Sequence, residues 1–375
     1  MTPLDGIRIA DLSHVLAGPF ATGQCALMGA DVIRIEHPDG HDFIRNGGPP
    51  RLHEQGLGPA FLSQNAGKRS VALDLKTAEG RDTFLEIAAT ADIVVENFRP
   101  GVVDRLGVGY AAVLERRPNV IYASLSGFGP DGPLAARPAY DHIIQGISGM
   151  MAMTGTPESG PLRSGLPIVD YVAGQTLTAA LLAALLQRAK EPDQPQRLHV
   201  SMLEAMTTLM GAAAIGHQAT GALRGLEGNK AFSDSPYSGR FPAADGDLVI
   251  TANTADQAAR LRSAIGREDL AKADDATIAA AMTTAFTSEP MSYWEEKLAA
   301  ASVPCGPVLT LAQALAHPQM TDSPCWPSLD VPETGDTFRV PGLGFRAPWA
   351  PSDLRPAPTL GRDTDDVLYE LGGPA

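Results

Sequence analysis

Residues 6–36 read GIRIADLSHVLAGPFATGQCALMGADVIRIE, and this stretch decides the fold. The runs GIRIADL (6–12) and DVIRIE (31–36) are typical of strands, and the small residues of FATGQCALMGA (20–30) between them predict a helix. The same alternation continues with predicted strands at 70–76, 92–98 and 120–129 and a predicted helix at 77–91. Strands that alternate with helices predict a mostly parallel sheet, so the fold class is α/β with a Rossmann-like large domain.

The loops that follow the predicted strands carry glycine, proline and polar side chains. They read SHVLAGPF after the first strand, NFRPG after the strand at 92–98 and SGFGPDGP after the strand at 120–129. In doubly wound folds, ligands bind beyond the carboxyl ends of the strands, so we expect the functional site in these loops. The stretch AGPFATGQ lacks the spacing of GxGxxG and the GK[ST] ending of a P-loop, which argues against a nicotinamide cofactor and against ATP.

The remainder of the chain predicts a second, smaller domain. SGRFPAADGDLVITAN (238–253) is typical of a hairpin, and two amphipathic helices are predicted at 255–266 and 291–302. We therefore predict a large domain over 1–224, a small α+β domain over 225–330, and a return of 331–375 to the large domain. The predicted helices at 171–189 and 201–216 are apolar nearly all round, which implies burial on several faces.

The composition argues against several classes of function. The chain has 375 residues and a formal net charge of −14, whereas nucleic-acid binding needs a basic face. A local group of Arg and Lys can still hold the phosphates of a small ligand. Cys25, Cys305 and Cys325 are sparse and form no CxxC pair, which favours a reducing compartment over a disulfide framework or a zinc ribbon.

We expect a cytoplasmic protein without membrane association. The start MTPLDGIRIADL has neither a basic leader nor a long apolar core, and Gln, Thr or Gly breaks each apolar run before 18 residues. No metal site is predicted: His37 and His41 are four residues apart, but Pro38 and Gly40 argue against a helix that would place them on one face.

Several loops, taken together, resemble the class III CoA-transferases, the family that includes formyl-CoA and carnitine CoA-transferases and the related α-methylacyl-CoA racemases. The matching stretches are DLSHVLAGPF, NAGKRSVALDLKTAEG, VENFRPGVVDRLGVGY, SLSGFGPDGP, RPAYDHIIQGISG, GLPIVDYVAGQ, VPCGPV and GRDTDDVLYELG. They occur in the family's order and cover nearly the whole chain. The resemblance implies an interlaced homodimer, no permanently bound cofactor, and an acyl-CoA and an organic acid as substrates.

In this family the nucleophile is the aspartate of the motif that reads here GLPIVDYVAGQ, which is Asp170. A carboxylate in a closed pocket can attack a thioester carbonyl and release the CoA thiolate. The alternative interpretation is an N-cap, because aspartate also accepts hydrogen bonds from the first turn of a helix. The two roles are compatible in one residue.

The resemblance also assigns residues that contact coenzyme A. They are Val15, Leu16, Leu73, Lys76, Asn97, Phe98, Arg99 and Arg105. The cationic side chains among them would pair with phosphates, and Val15 and Leu16 would line the pantetheine path. The alternatives are solvated surface charges for the cations and ordinary core packing for the apolar residues.

Tyr140 in RPAYDH bears on the subclass. The racemases hold a histidine at this place, and that histidine works with the aspartate to exchange the α-proton. A phenol gives up its proton only at high pH, so Tyr140 favours transfer over racemisation, with a role in shaping the acyl pocket or hydrogen bonding near the carboxylate. Transfer of CoA within one dicarboxylic molecule, and CoA binding without catalysis, remain as alternatives.

Two departures separate the chain from the oxalate-using members. They carry glutamine where Leu16 stands, and a glycine run where this chain reads NKAFSDSPYSGRF (229–241). Ser233, Ser235 and Gly239 are candidates for a flexible lid there. Arg240 or Lys230 is a candidate to meet the distal carboxylate of a dicarboxylic acid.

Overall fold

The computed structural model describes residues 1–230 and 233–372, and the described chain divides into two compact units. The larger unit comprises residues 1–152, 162–223 and the chain from 323 onward, and the smaller unit comprises 153–161 and 224–322. The smaller unit thus includes the short segment 153–161, which precedes the sequence-based boundary at 225.

A six-stranded parallel sheet forms the centre of the larger unit. Its strands are β1 (Arg8–Asp11), β2 (Asp31–Glu36), β3 (Arg69–Ala72), β4 (Ile93–Glu96), β5 (Ile121–Ser126) and β8 (Gln196–Ser201). They lie in the order β3-β2-β1-β4-β5-β8, the doubly wound order in which the direction of winding reverses between β1 and β4. Ile9 sits opposite Val32 on one side and Ile93 on the other, and all three side chains are fully buried.

Helices cover this sheet. They are α1 (Ala17–Leu27), α2 (Pro50–His53), α3 (Pro59–Asn65), α4 (Ala78–Thr90), α5 (Val102–Leu106), α6 (Tyr110–Arg116), α7 (Asp141–Ile147), α8 (Ile168–Arg188), α9 (Met202–Leu209), α10 (Gly211–Thr220) and α16 (Thr364–Glu370). Helix α16 returns to the sheet edge, where Asp363 and Thr364 accept hydrogen bonds from the backbone of β3 at Ser70 (2.8 Å) and Ala72 (3.1 Å). The strands β12 (Ser328–Val331), β13 (Asp336–Arg339) and β14 (Asp353–Leu354) form a separate small sheet in this unit.

The smaller unit has a hairpin core. Its strands are β6 (Gly155–Thr156), β7 (Gly160–Pro161), β9 (Gly239–Pro242), β10 (Asp247–Ile250) and β11 (Cys305–Pro307), and its helices are α11 (Ala255–Ala264), α12 (Asp275–Phe286), α13 (Met291–Ala300), α14 (Leu311–Ala316) and α15 (Pro318–Thr321). The antiparallel β9–β10 pair is the predicted hairpin, and β11 adds a third strand. Phe286, Trp294 and Leu298 pack in its core.

Two features of the larger unit differ from the sequence-based expectation. Strand β8 was not predicted, because its burial is partial and its polar residues show no strong β pattern. The predicted helix over 201–216 is two helices, α9 and α10, which meet at Met210.

Helix α8 has the length and mean hydropathy (1.5) that would suffice to cross a bilayer. The Thr and Gln residues within it do not interrupt the helix. One face packs into the core through Val169, Ala173, Leu177 and Leu181, all fully buried. This packing is that of a core helix.

Candidate active site

A cavity of about 400 Å³ opens at the carboxyl ends of β1 to β4, where the winding of the sheet reverses. Of the predicted CoA-contacting residues, the cavity wall contains Val15, Leu73, Lys76 and Phe98, and it also contains the predicted catalytic residue Tyr140. Four loops, after four neighbouring strands, thus supply one wall. This is the position at which doubly wound folds bind ligands.

Asn97 holds two of these loops together. Its Oδ1 accepts the backbone N–H of His14 (2.9 Å), and its Nδ2 donates to the His14 carbonyl (2.8 Å). The ring of the next residue, Phe98, lies 5.0 Å from the His14 ring. Asn97 therefore positions the cavity wall from behind.

Three predicted CoA-contacting residues do not line this cavity among the described residues. Leu16 is half-buried at the N-cap of α1. Arg99 and Arg105 are exposed, on the loop after β4 and on α5. The structure therefore places both arginines at the surface of the same region of the fold.

Val15 has a φ of +67°, a conformation that costs a β-branched residue free energy. Its backbone N–H donates to Oδ2 of Asp42 (3.0 Å), and the same oxygen accepts from Nη2 of Arg34. The side chains of Arg34 and Asp42 are nearly inaccessible to solvent. A buried ion pair thus helps to hold the strained residue at the cavity wall.

A second buried group supports the loop after β1. Asp11 ends that strand and accepts hydrogen bonds from the Ser13 N–H (2.9 Å), from the Thr22 hydroxyl and from Nζ of Lys68 (3.1 Å). Burial lowers the pKa of Lys68 to about 8, although the Asp11 charge opposes this. Sequence reasoning did not assign Lys68 a role, and its position between α3 and β3 was the one signal available.

Asp170 lies in the first turn of α8, but it is not the capping residue. The N-cap position is Pro167, which offers no side-chain hydrogen bond. Oδ2 of Asp141 accepts the backbone N–H groups of Val169 (2.7 Å) and Asp170 (3.3 Å) instead. The carboxylate of Asp141 therefore caps this helix, which leaves the carboxylate of Asp170 available for other work.

Burial, and then the nearby charge of Asp141, raise the pKa of Asp170 to about 7. Among the described residues, no hydrogen bond or salt bridge to the Asp170 carboxylate offsets this effect. A carboxylate that is poorly solvated and has no hydrogen-bond donor is more reactive as a nucleophile than one in water.

Asp141 is itself fixed by a chain of hydrogen bonds. Its Oδ1 accepts from Nε2 of Gln145, one turn later on α7, and Oε1 of Gln145 accepts the Ser164 N–H (2.8 Å). Sequence reasoning noted Asp141 as part of RPAYDH but gave it no role. The D-x-x-x-Q spacing on one helix face was the available signal.

Tyr140 is the N-cap residue of α7, with 59% of its surface exposed, and it is adjacent in sequence to Asp141. It therefore links the cavity wall to the group that caps α8. His142, which the sequence analysis did not assign to the site, is exposed.

The candidates in the smaller unit have other partners. Arg240 forms a salt bridge with Asp247 (2.7 Å). The hydroxyl of Ser235 donates to the Ala252 carbonyl (2.7 Å), and Gly239 belongs to β9. Lys230 is exposed. The proposed lid segment 229–241 also includes Ala231 and Phe232, which lie outside the described residues.

The fold and the site together define an α/β protein with an elongated ligand cavity at the switch point of its sheet and a buried carboxylate at a neighbouring helix start. Residues 4–364 match the model of CoA-transferase family III, and the chain belongs to that family. It is an enzyme of the CoA-transferase type, which moves CoA between organic acids.

Individual relatives agree with this assignment. The chain is 33% identical to a succinate–glutarate CoA-transferase of Agrobacterium fabrum, over 98% of this chain and 96% of the relative. It is 36% identical to an acetyl-CoA:oxalate CoA-transferase of Acetobacter aceti, over 84% of this chain and 83% of the relative. A crystal structure of a CaiB/BaiF family protein from Brucella suis superposes with a TM-score of 0.86 at 30% identity, covering 99% of both chains.

Proposed function

We propose that this enzyme transfers CoA from an acyl-CoA donor to a small dicarboxylic acid through covalent intermediates on Asp170. The Asp170 carboxylate attacks the thioester carbonyl; a C–O bond forms, the C–S bond breaks, and the CoA thiolate leaves an acyl-aspartyl anhydride. The thiolate then attacks the aspartyl carbonyl and releases the donor acid, which leaves an aspartyl-CoA thioester. The acceptor carboxylate repeats the two steps in reverse and regenerates Asp170.

The observation that carries this proposal is the environment of Asp170. Its carboxylate is largely buried without a hydrogen-bond donor, and its pKa is raised to about 7. The cap that a carboxylate would otherwise provide at this helix start comes from Asp141. A structural role for Asp170 is therefore already filled by another residue.

A dicarboxylic acceptor is supported by the relatives, whose names specify succinate, glutarate and oxalate. Oxalate itself is disfavoured by Leu16, which stands where the oxalate-using members carry glutamine. Arg240 is a weaker candidate for the distal carboxylate than Lys230, because it already pairs with Asp247. Tyr140 would then shape the acyl end of the cavity that coenzyme A occupies.

The same proposal includes a cytoplasmic homodimer. The free cysteines Cys25, Cys305 and Cys325 fit a reducing compartment. The apolar and largely exposed surface of α10 fits burial by a second copy of the chain. Isomerase activity by proton exchange is disfavoured, because an exposed tyrosine stands at the place of the racemase base.

The test is intact-mass spectrometry of the protein mixed with succinyl-CoA, with hydroxylamine added to trap an activated carboxyl group, followed by peptide mapping. We expect a hydroxamate at Asp170. Asp170→Ala should give no adduct and no transfer to glutarate. The matched control is Asp82→Ala, which removes an exposed carboxylate that pairs with Arg81 and should leave the trapping unchanged.

Two results would contradict the proposal. One is transfer to glutarate by a folded Asp170→Ala variant. The other is incorporation of deuterium from heavy water at the α-carbon of a branched acyl-CoA, without CoA transfer, which would replace transfer by racemisation.

A further inference from the structure

A histidine–aspartate–histidine cluster lies at the wall of the cavity, on the loop after β2. The turn is closed by the Gly40 N–H, which donates to the His37 carbonyl (2.9 Å), with Gly40 at a φ of +65°. This turn, not a helix, brings the rings of His37 and His41 together, with centroids 4.0 Å apart and planes 15° apart. Both rings line the cavity.

The nitrogen and oxygen atoms of this cluster converge. Oδ2 of Asp39 lies 3.6 Å from Nδ1 of His37 and 3.8 Å from Nε2 of His41. Ligand atoms about 3.4 Å apart follow from tetrahedral coordination with bonds of about 2.0–2.2 Å. Asp39 and His41 are exposed by 75% and 63%, so small side-chain rotations suffice to close the difference.

The protonation of His37 is set by its neighbours. Its Nδ1 accepts the backbone N–H of Asp39 (3.1 Å), so this nitrogen carries a lone pair towards the cluster. Its Nε2 lies 3.7 Å from Oδ1 of Asp74, which is itself held by the Lys76 N–H (2.9 Å). A carboxylate behind the far nitrogen of an imidazole is the usual support of a metal-binding histidine.

The charges favour a cation over an anion. Two carboxylates, Asp39 and Asp74, face the imidazoles, and closely stacked rings fit the neutral form of histidine better than two like charges. A phosphate placed between the rings would meet the Asp39 carboxylate directly. Two imidazoles and one carboxylate are a ligand set that suits zinc and its neighbours.

We propose that His37, Asp39 and His41 bind one divalent transition-metal ion, with Zn²⁺ as the reference ion, and that Asp74 orients His37. Three protein ligands leave at least one coordination position for water or another oxygen or sulfur donor. The site is separate from the Asp170 chemistry, and nothing in it requires acyl transfer.

The test is equilibrium dialysis of the full chain against Zn²⁺ in a phosphate-free buffer at about pH 7.5, where imidazole is mostly neutral. We expect one ion per chain, removable by a chelator, with Co²⁺ giving the visible spectrum of a four-coordinate site. His41→Gln and Asp39→Asn should each weaken binding by at least about tenfold, and Asp74→Asn by about tenfold. His53→Gln, at a histidine on α2 outside the cluster, should bind as the parent chain does.

Three results would overturn the proposal. One is the absence of stoichiometric Zn²⁺ binding by the parent chain. Another is binding that His41→Gln and Asp39→Asn leave unchanged. The third is binding of inorganic phosphate, in place of Zn²⁺, that is lost in His41→Gln. Because no acyl-CoA is present, these outcomes are independent of whether Asp170 forms an adduct.

Discussion

The reactivity of Asp170 depends on one neighbouring residue, Asp141, in two opposed ways. The Asp141 carboxylate accepts the N–H groups at the start of α8 and so holds the backbone that carries Asp170. Its negative charge also adds to the effect of burial on Asp170 and disfavours ionisation. Position and charge are therefore separable by a substitution that keeps the oxygen and removes the charge.

Asp141→Asn is that substitution. Nucleophilic attack needs the ionised carboxylate, so in the parent enzyme we expect adduct formation on Asp170 to rise with pH through a midpoint near 7. In Asp141→Asn one cause of the raised pKa is gone, burial remains, and the midpoint should move to lower pH. The measurement is the initial rate of hydroxamate formation across pH values below and above 7.

Gln145→Glu serves as the opposite control at the same hydrogen-bond chain. It places a second charge next to Asp141 and should move the midpoint upward or leave it in place. A midpoint that stays fixed in a folded Asp141→Asn variant would show that Asp141 does not influence the ionisation of Asp170.

At the scale of elements, the close approach of α1 and α8 sets the distance between the cavity loops and Asp170. Gly174 of α8 faces α1, and a Cβ atom at this position would lie 2.8 Å from the Ala17 carbonyl oxygen and 2.8 Å from the Phe20 ring. The Phe20 ring also packs edge-on against Tyr171, the residue after Asp170. A side chain at position 174 therefore has to push the two helices apart.

We expect Gly174→Ala to destabilise the fold by about 1–3 kcal/mol and to lower the transfer rate, because the added methyl group overpacks the α1–α8 contact. The matched control is Gly216→Ala on α10, where a Cβ meets nothing within 4 Å. That change should be neutral or stabilising by up to about 1 kcal/mol, since alanine is the better helix former. Urea unfolding of both variants measures the two values, and equal effects would refute the packing argument.

The sequence predicted the elements with strong local patterns and missed those that depend on distant partners. Strand β2 was predicted at its observed limits, and the β9–β10 hairpin was predicted from its turn residues. Strand β8 was missed, because what makes its polar sequence a strand is pairing with β5. Local periodicity cannot report such pairing.

The site shows the same limit. The family motif identified Asp170, but the cap from Asp141 spans 28 residues along the chain and the Asp11–Lys68 pair spans 57. No spacing rule reaches across such separations. The His37–His41 cluster was missed for a different reason: four-residue spacing was judged as a helix, whereas a glycine turn forms it.

At the scale of the whole molecule, the described chain leaves apolar surface uncovered on α9 and α10. Leu209, Ile215 and Leu223 are exposed by 61%, 69% and 80%, and α10 has no buried residue although its sequence GAAAIGHQAT is largely apolar. An amphipathic or apolar helix of this kind gains its stability from packing. A contiguous apolar surface of this sort marks an interface.

We therefore expect the enzyme to sediment as a particle of twice the 39.3 kDa chain mass, with α10 at the contact between the copies. Hydrogen exchange provides the local measurement, since α14 is a matched reference: it also has no buried residue in the single chain. The amides of α10 should exchange much more slowly than those of α14, because a partner covers the first and not the second. Leu209→Glu with Ile215→Glu should weaken the dimer and speed exchange in α10, whereas Leu311→Glu on α14 should change neither. A monomeric mass, or equal exchange in the two helices, would mean that a second copy does not cover this surface.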